Sequence, residues 1–155
     1  MSNITLKWNG DKVEQQLAAV AEEVVWLAAQ DAIRESTNNV PLDTGTLRRS
    51  GVVTLGELPN AKEVYEGAEG GKSGKEYSES HRKTALGGDA VAYASYNTPY
   101  AVHLHEDTNW KPRSVGKSGR EKPAVGGPKW LEKACIVVSK RWNTYAKRAR
   151  RKAGL

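Results

Sequence analysis

"DKVEQQLAAVAEEVVWLAAQDAIRE", residues 11–35, is the longest regular pattern in the chain and decides its fold. Its apolar residues Val13, Leu17, Val20, Val24 and Leu27 are spaced alternately by four and three positions. Residues at this spacing share one face of an α-helix. The stretch therefore predicts an amphipathic helix from Val13 to about Glu35. "STNNVP" at 36–41 ends it, because a residue that precedes proline avoids helical angles.

The residues before this helix predict a short strand and a turn. In "ITLKW" at 4–8, apolar and polar residues alternate, so the apolar side chains would share one face of a strand. "NGD" at 9–11 then turns the chain. Asp11 and Glu14 have the spacing of a capping box, in which both side chains accept hydrogen bonds from free backbone N–H groups at a helix start.

The middle of the chain predicts short strands. Asp43 or Thr44 would cap a single helical turn that ends near Arg49. "GVVTLGEL" at 51–58 and "DAVAYASY" at 89–96 are typical of strands, and "KEVYEG" at 62–67 is a weaker candidate that would pair with 51–58. "TPYAVHLHE" at 98–106 fits either a strand or a helical turn that Pro99 begins.

The last segment predicts a second amphipathic helix, which Pro128 would open. Its apolar stripe steps by four and three through Leu131, Cys135, Val138, Trp142, Tyr145 and Ala149. Two helices and several short strands favour an α+β fold, with a long N-terminal and a C-terminal helix packed on a small antiparallel sheet. We expect one domain over 1–155, with mobile loops at 68–88 and 107–127 and a basic tail at 150–155.

Composition limits the function classes. The chain has 155 residues, of which 38% are apolar and 27% are charged, a mixture typical of one small globular domain. Cys135 is the single cysteine, so no intrachain disulfide forms, and a reducing compartment is expected. No apolar run resembles a signal peptide or a membrane span.

The net charge of +6 comes from one segment. Residues 140–152 hold seven basic and no acidic side chains, whereas the remainder has 17 basic against 18 acidic residues. The segment could contact nucleic-acid phosphates or an acidic partner, or it could be a solvated helix end. Its basic residues are Lys140, Arg141, Lys147, Arg148, Arg150, Arg151 and Lys152.

Two patterns suggest catalysis, and neither is complete. His103 and His105 would point the same way on a strand and could share a zinc ion, but the chain offers few further ligands. "DTG" at 43–45 is the triplet of aspartic proteases, which need two such carboxylates. Arg48 and Arg49 would also keep Asp43 ionised. Cys135 has no evident base, and no phosphate-binding glycine loop is present.

Three segments occur together in a familiar order: "VPLDTGTLRRS" at 40–50, "ASYNTPYAVHLHED" at 94–107 and "GGPKWLEKA" at 126–134. With the long first helix, they resemble the minor capsid and head–tail joining (neck or tail-completion) proteins of tailed bacteriophages. The resemblance covers nearly the whole chain. The stretch between Asp107 and Gly126 is longer and more basic than that family's pattern.

The resemblance implies a structural subunit without catalysis, metal or cofactor. Copies would form a ring in the virion at the head–tail junction, assembled in the host cytoplasm. Its partners would be a portal-side connector or head-closure protein, a tail terminator or tail tube protein, and packaged DNA in the lumen. The residues that match the motifs, expected to set the fold and the ring interface, are Asp43, Thr44, Gly45, Leu47, Arg48, Ser50, Pro99, Tyr100, Ala101, His105, Glu106, Gly126, Gly127, Lys129, Trp130, Leu131 and Glu132. The rival hypothesis is a free-standing nucleic-acid-binding protein that acts through its basic C-terminal helix.

Overall fold

The computed structural model describes residues 9–41, 45–59, 81–82, 89–111 and 126–155. Five helices and three strands lie in these ranges, and the α+β class is confirmed. In chain order they are α1 (Gly10–Thr37), α2 (Thr46–Arg49), β1 (Gly51–Leu55), β2 (His81–Arg82), β3 (Ala92–Tyr96), α3 (Ala101–Glu106), α4 (Trp130–Ser139) and α5 (Trp142–Lys152). The predicted strands at 4–8 and 62–67 lie outside the described residues, as does most of the two predicted loops.

The long first helix is confirmed, and it extends beyond both predicted ends. Its N-cap is Asn9, which makes no side-chain cap hydrogen bond, so the predicted capping box does not form and Asp11 lies in the first turn. At the other end, the Ser36 and Thr37 hydroxyls both donate to the carbonyl of Ile33. The backbone N–H groups of Asn39 and Val40 both donate to the carbonyl of Ser36, which satisfies a terminal carbonyl where the helix ends before Pro41.

The apolar stripe of α1 is partly buried toward its C-terminal end. Val24 and Leu27 pack against a cluster of Ala28, Ala32, Val138 and Tyr145, as the stripe predicts. Val13 and Leu17 belong to the same stripe but remain more than half exposed. Small alanines lie where α4 and α5 cross α1, and they let the helix backbones approach closely.

The sheet has three strands in the order β2-β1-β3. β1 and β3 are antiparallel, with Gly51 opposite Tyr96 and Leu55 opposite Ala92. β2 pairs parallel to β1, although its two residues fall in the stretch predicted as an unpaired loop. Backbone pairing at the edge of β1 needs no apolar side chain, so the polar sequence gave no signal for β2.

Two helices replace the single predicted C-terminal helix. The chain turns at Lys140 and Arg141, between α4 and α5. α4 buries Trp130, Ala134 and Val138, which are spaced by four, so the prediction that Cys135 lies on the buried stripe is wrong and the thiol is exposed. Trp142 is likewise 45% exposed, because the turn rotates the stripe.

The segment that fitted either a strand or a helical turn is helical and forms α3. Beyond α3, the Trp110 indole N–H donates to the carbonyl of Leu104 at 2.7 Å, and this bond fixes the start of the predicted loop at 107–127. Among the described residues, no helix is both long enough and apolar enough to cross a membrane.

Candidate functional site

The three motif segments meet at Trp130. Three residues from other parts of the chain are buried against this indole. They are Val40 from the connection between α1 and α2, Leu47 from α2 and Ala101 from α3. Trp130 itself is 1% exposed and begins α4. Segments that are about 50 and 30 residues apart in the sequence therefore share one apolar cluster. We call these four residues the Trp130 cluster. Tyr96, Leu104 and Leu131 pack against it.

Aromatic side chains surround the Trp130 indole edge-on. The His105 ring lies 4.8 Å from it at an interplanar angle of 89°, and the Tyr96 ring lies 6.0 Å from it at 88°. Such edge-to-face pairs stabilise beyond the area they bury. His105 Nε2 and Trp130 Nε1 are both buried and have no hydrogen-bond partner within the described ranges. Packing of the rings thus holds this contact.

Gly126 joins the third motif to the first. Its φ of 92° lies in the left-handed region, and a Cβ atom there would lie 2.6 Å from the Pro41 nitrogen. The next residue, Gly127, donates its backbone N–H to the carbonyl of Asn39 at 3.1 Å. Position 126 therefore requires glycine for both space and conformation, whereas nothing lies within 4 Å of a Cβ at Gly127.

Charged side chains join α3 to the start of α4. Lys129 forms an ion pair with Glu106, and its backbone N–H donates to the carbonyl of His105 at 2.9 Å. His105 Nδ1 lies 2.6 Å from Glu106 Oε1. The hydrogen bond from Lys129, followed by that from His105, lowers the pKa of Glu106, and Glu106 in turn raises the pKa of Lys129. Lys129 has a φ of 58°, so its ion pair with Glu106 and its backbone hydrogen bond to His105 hold a residue in a strained backbone conformation.

The remaining motif residues have mainly structural contacts. The Ser50 hydroxyl donates to the Leu47 carbonyl at 2.8 Å and closes α2. Gly45, with a φ of 82°, is the N-cap residue of α2, while the predicted caps Asp43 and Thr44 lie outside the described residues. The charge of Arg48 acts on the Tyr96 hydroxyl, whose pKa is raised by burial. Motif residues at the surface are Pro99, Tyr100 and Glu132.

The histidines do not form a metal site in this arrangement. His103 and His105 lie in a helix, where side chains two positions apart point about 160° away from each other. The two histidines could share a zinc ion only on a β-strand, where side chains two positions apart point the same way. Within the described ranges, no three His, Cys, Asp or Glu side chains are grouped so that they could hold a metal ion.

A second polar cluster, not predicted from the sequence, joins α1 to α5. Arg141 Nη1 lies 2.7 Å from Asp31 Oδ2 and 2.7 Å from Glu35 Oε1. The Tyr145 hydroxyl donates to Asp31 Oδ2 at 2.5 Å, and Arg34 forms a further ion pair with Asp31. We call these five residues the Asp31 cluster. In the sequence, only the spacing of Asp31 and Glu35 by about one helical turn indicated this cluster. Their partners Arg141 and Tyr145 lie over 100 residues away.

The Asp31 cluster shifts the pKa values of its members. Burial opposes ionisation of Asp31, but hydrogen bonds from Tyr145 and Arg141 and the charge of Arg34 outweigh it, so the pKa of Asp31 is lowered. Burial and the bond to Asp31 raise the pKa of Tyr145 to about 12. Glu35 and Asp31 also raise the pKa of Arg141. The carboxylate is therefore held ionised by neutral and cationic donors.

The predicted basic segment divides into two sets. Arg141 belongs to the Asp31 cluster, and Lys152 Nζ lies 2.9 Å from Glu23 Oε2, so both are paired within the chain. The other five side chains are exposed, and none of them forms an ion pair with another described residue. They are Lys140, Lys147, Arg148, Arg150 and Arg151.

Several large apolar side chains are also exposed on α3, α4 and α5. Val102 is 74% exposed, Ile136 and Val137 lie on α4, and Trp142 opens α5. The Trp142 ring packs edge-on against Tyr145 at 6.2 Å, which fixes its orientation.

No family model, curated protein or solved structure matches the chain.

Proposed function

We propose that the chain is a structural subunit of a tailed bacteriophage virion. Copies of it would form a ring at the head–tail junction, as a neck or tail-completion protein. This ring would join a portal-side connector or head-closure protein to a tail terminator or tail tube protein. The chain would act through its surfaces and not through catalysis.

The observation that carries this proposal is the meeting of the three motif segments in the Trp130 cluster. Val40, Leu47, Ala101 and Trp130, which the segments contribute, are buried and apolar. Gly126 provides close backbone contact, and Glu106 and Lys129 pair with each other. The buried residues and Gly126 therefore serve the fold, and the Glu106–Lys129 ion pair holds α3 against the start of α4. A shared catalytic cleft would instead need polar groups that converge on an accessible space, so this use of the motifs supports a structural subunit.

Exposed apolar side chains at α3 and α4 give further support. Val102 and Tyr100 lie at α3, and Ile136 and Val137 lie on α4. Single exposed apolar residues are common, but several on neighbouring elements favour contact with other protein surfaces. In a ring, adjacent copies would cover such residues.

The exposed thiol of Cys135 provides a direct test. The chain labelled at Cys135 with a maleimide–gold probe should complement a phage that lacks the gene, and electron microscopy should find the label at the head–tail junction. Cys135→Ser, treated in the same way, is the unlabelled control. Without the gene, filled heads and free tails should accumulate. Normal, infectious particles that lack the protein would refute the proposal.

The second candidate function is nucleic-acid binding by the free protein. The observation that favours it is the set of exposed cations on α5 that form no ion pair with another described residue. This function would require no place in the particle. A chain that is absent from virions but binds duplex DNA in the infected cell would support this candidate over the first.

A further inference from the structure

The ion pairs of α5 separate cations with a folding role from cations that are available to a partner. Arg141 contacts Asp31 and Glu35, and Lys152 contacts Glu23. Both side chains therefore have their charge balanced by α1. The sequence alone did not distinguish them from their neighbours, because all lie in one run of basic residues.

The available cations share the outward side of α5. Tyr145 and Ala149 are buried and mark the side that faces α1. At about 100° per residue, Lys147 and Arg151 lie close to the opposite side, and Arg150 and Arg148 lie on its two flanks. All four are exposed, and none forms an ion pair with another described residue. Four positive charges thus cover a wide arc of one helix.

The outward side of α5 itself carries no acidic side chain, and no described residue forms an ion pair with these four cations. The chain has no Asp or Glu after Glu132, and the remaining outward positions are Asn143 and Thr144. Protein interfaces usually centre on buried aromatic or aliphatic anchors. Between the four cations there is no such anchor, so an acidic protein surface fits this face less well than a polyanion does.

We propose that Lys147, Arg148, Arg150 and Arg151 form a surface that binds the phosphate backbone of duplex DNA. Arginine matches phosphate oxygens with two parallel donors, and lysine adds a mobile point charge. Phosphate contacts provide affinity but carry no sequence information. Binding is therefore independent of base sequence. It also does not depend on the chain forming a ring, so this surface can be tested on the purified protein apart from the proposed function.

The experiment measures binding of the full chain to a short fluorescein-labelled DNA duplex by anisotropy, over a salt series. Four phosphate contacts give a log–log salt slope of about −3.6, which is a loss of affinity on the order of 100-fold between about 50 and 200 mM salt. The triple variant Lys147→Gln, Arg148→Gln and Arg151→Gln should reduce the magnitude of this slope by about 2 to 3. Glutamine keeps helix propensity, and circular dichroism checks that the variant is folded.

A charge-matched variant separates this surface from general basicity. Lys12→Gln, Lys111→Gln and Lys133→Gln together remove the same charge from exposed positions outside α5. This variant should keep the slope of the unmodified chain. Equal losses in both triple variants, or DNA affinity that persists unchanged in the α5 variant, would overturn the proposal.

Two further arms test the ligand class. A duplex of unrelated sequence should bind with the same affinity, and a tenfold preference for one sequence would contradict backbone binding. Polyglutamate of similar charge should compete weakly. If polyglutamate binds as tightly as DNA, with the same dependence on the three α5 residues, the surface recognises acidic chains in general and the DNA assignment fails.

Discussion

The Nη1 atom of Arg141 lies 2.7 Å from Oδ2 of Asp31, a residue 110 positions earlier in the chain. Arg141 is also the N-cap residue of α5 and lies in the turn between α4 and α5. The backbone turn and the ion pair therefore occur at the same point. By holding the turn against α1, this contact lets Val138 of α4 and Tyr145 of α5 enter the same buried cluster.

Tyr145→Phe tests how much the Tyr145 hydroxyl in the Asp31 cluster contributes to the free energy of unfolding. It removes the donor that lies 2.5 Å from Asp31 Oδ2 but keeps the buried ring. Hydrogen bonds to a charged acceptor are the stronger kind, so the free energy of unfolding should fall by about 2 kcal/mol. Urea denaturation measures the change. Tyr93→Phe, on the half-buried strand β3, is the control and should change stability by less than about 0.5 kcal/mol. An unchanged Tyr145→Phe midpoint would mean that water replaces the bond.

Acid should weaken the chain partly through Asp31. The pKa of Asp31 is lower in the folded than in the unfolded chain, so near pH 4 the unfolded state binds more protons. Its stabilisation is complete above about pH 5 and is lost as the pH falls through about 4 toward the folded pKa. Glu106 contributes in the same direction. Asp31→Asn should therefore be less stable at pH 7 and show a shallower decline in acid, measured by urea midpoints at several pH values. A parallel decline in both chains would assign the acid sensitivity elsewhere.

Adjacent glycines provide a matched pair at the Trp130 cluster. Gly126→Ala puts a methyl group against the backbone of Asn39, Val40 and Pro41 and forces a non-glycine residue to a φ of 92°. We expect a loss of more than about 2 kcal/mol in the free energy of unfolding. Gly127→Ala meets no atom within 4 Å and should change stability by less than about 1 kcal/mol. Thermal unfolding of both variants makes the comparison, and equal losses would contradict the close packing of Gly126.

The tryptophans of α4 and α5 differ in burial, so their replacement by alanine should lower the free energy of unfolding by different amounts. Trp130 is 1% exposed inside the cluster, whereas Trp142 is 45% exposed at the start of α5. Trp130→Ala should lower the free energy of unfolding by about 3–5 kcal/mol through lost burial and an unfilled cavity. Trp142→Ala keeps most of the core and should cost about 1 kcal/mol. Denaturant unfolding followed by circular dichroism gives both values. Similar costs would mean that the motif segments do not depend on Trp130.

Periodicity was sufficient for the elements that it describes directly. The spacing of Val24, Leu27 and their neighbours was sufficient to predict α1. It located the buried face only in part, because Val24 and Leu27 pack at the edge of the core while Ala28 and Ala32 are the residues buried in it. Periodicity failed at the C-terminal stripe, where the steps continue without interruption from Leu131 to Ala149. The turn at Arg141 is set by its contacts with Asp31 and Glu35, which are absent from any local window of sequence.

The candidate site shows the same division. The three motif segments could be identified from the sequence, and Gly126 was among the residues that the resemblance implied for the fold. The sequence did not show that the four residues of the Trp130 cluster meet, because their contact depends on how the helices α1 to α4 pack together. Likewise, the basic run was evident, but the distinction between Arg141 and Arg151 required the positions of acidic partners on α1.

The thiol of Cys135 should react in the folded protein, but slowly. It is exposed on α4, contrary to its expected place in the core, so alkylation does not need unfolding. Partial burial raises the pKa of the thiol, and the negative charge of Glu132 raises it further. Because the thiolate is the nucleophile, less of it is present at pH 8 than in a small free thiol. Iodoacetamide should therefore modify Cys135 more slowly than glutathione under the same conditions, and Glu132→Gln should speed the reaction. Glu57→Gln, which changes an exposed carboxylate outside α4, is the control and should leave the rate unchanged. Labelling that appears only in denaturant would instead return Cys135 to the core.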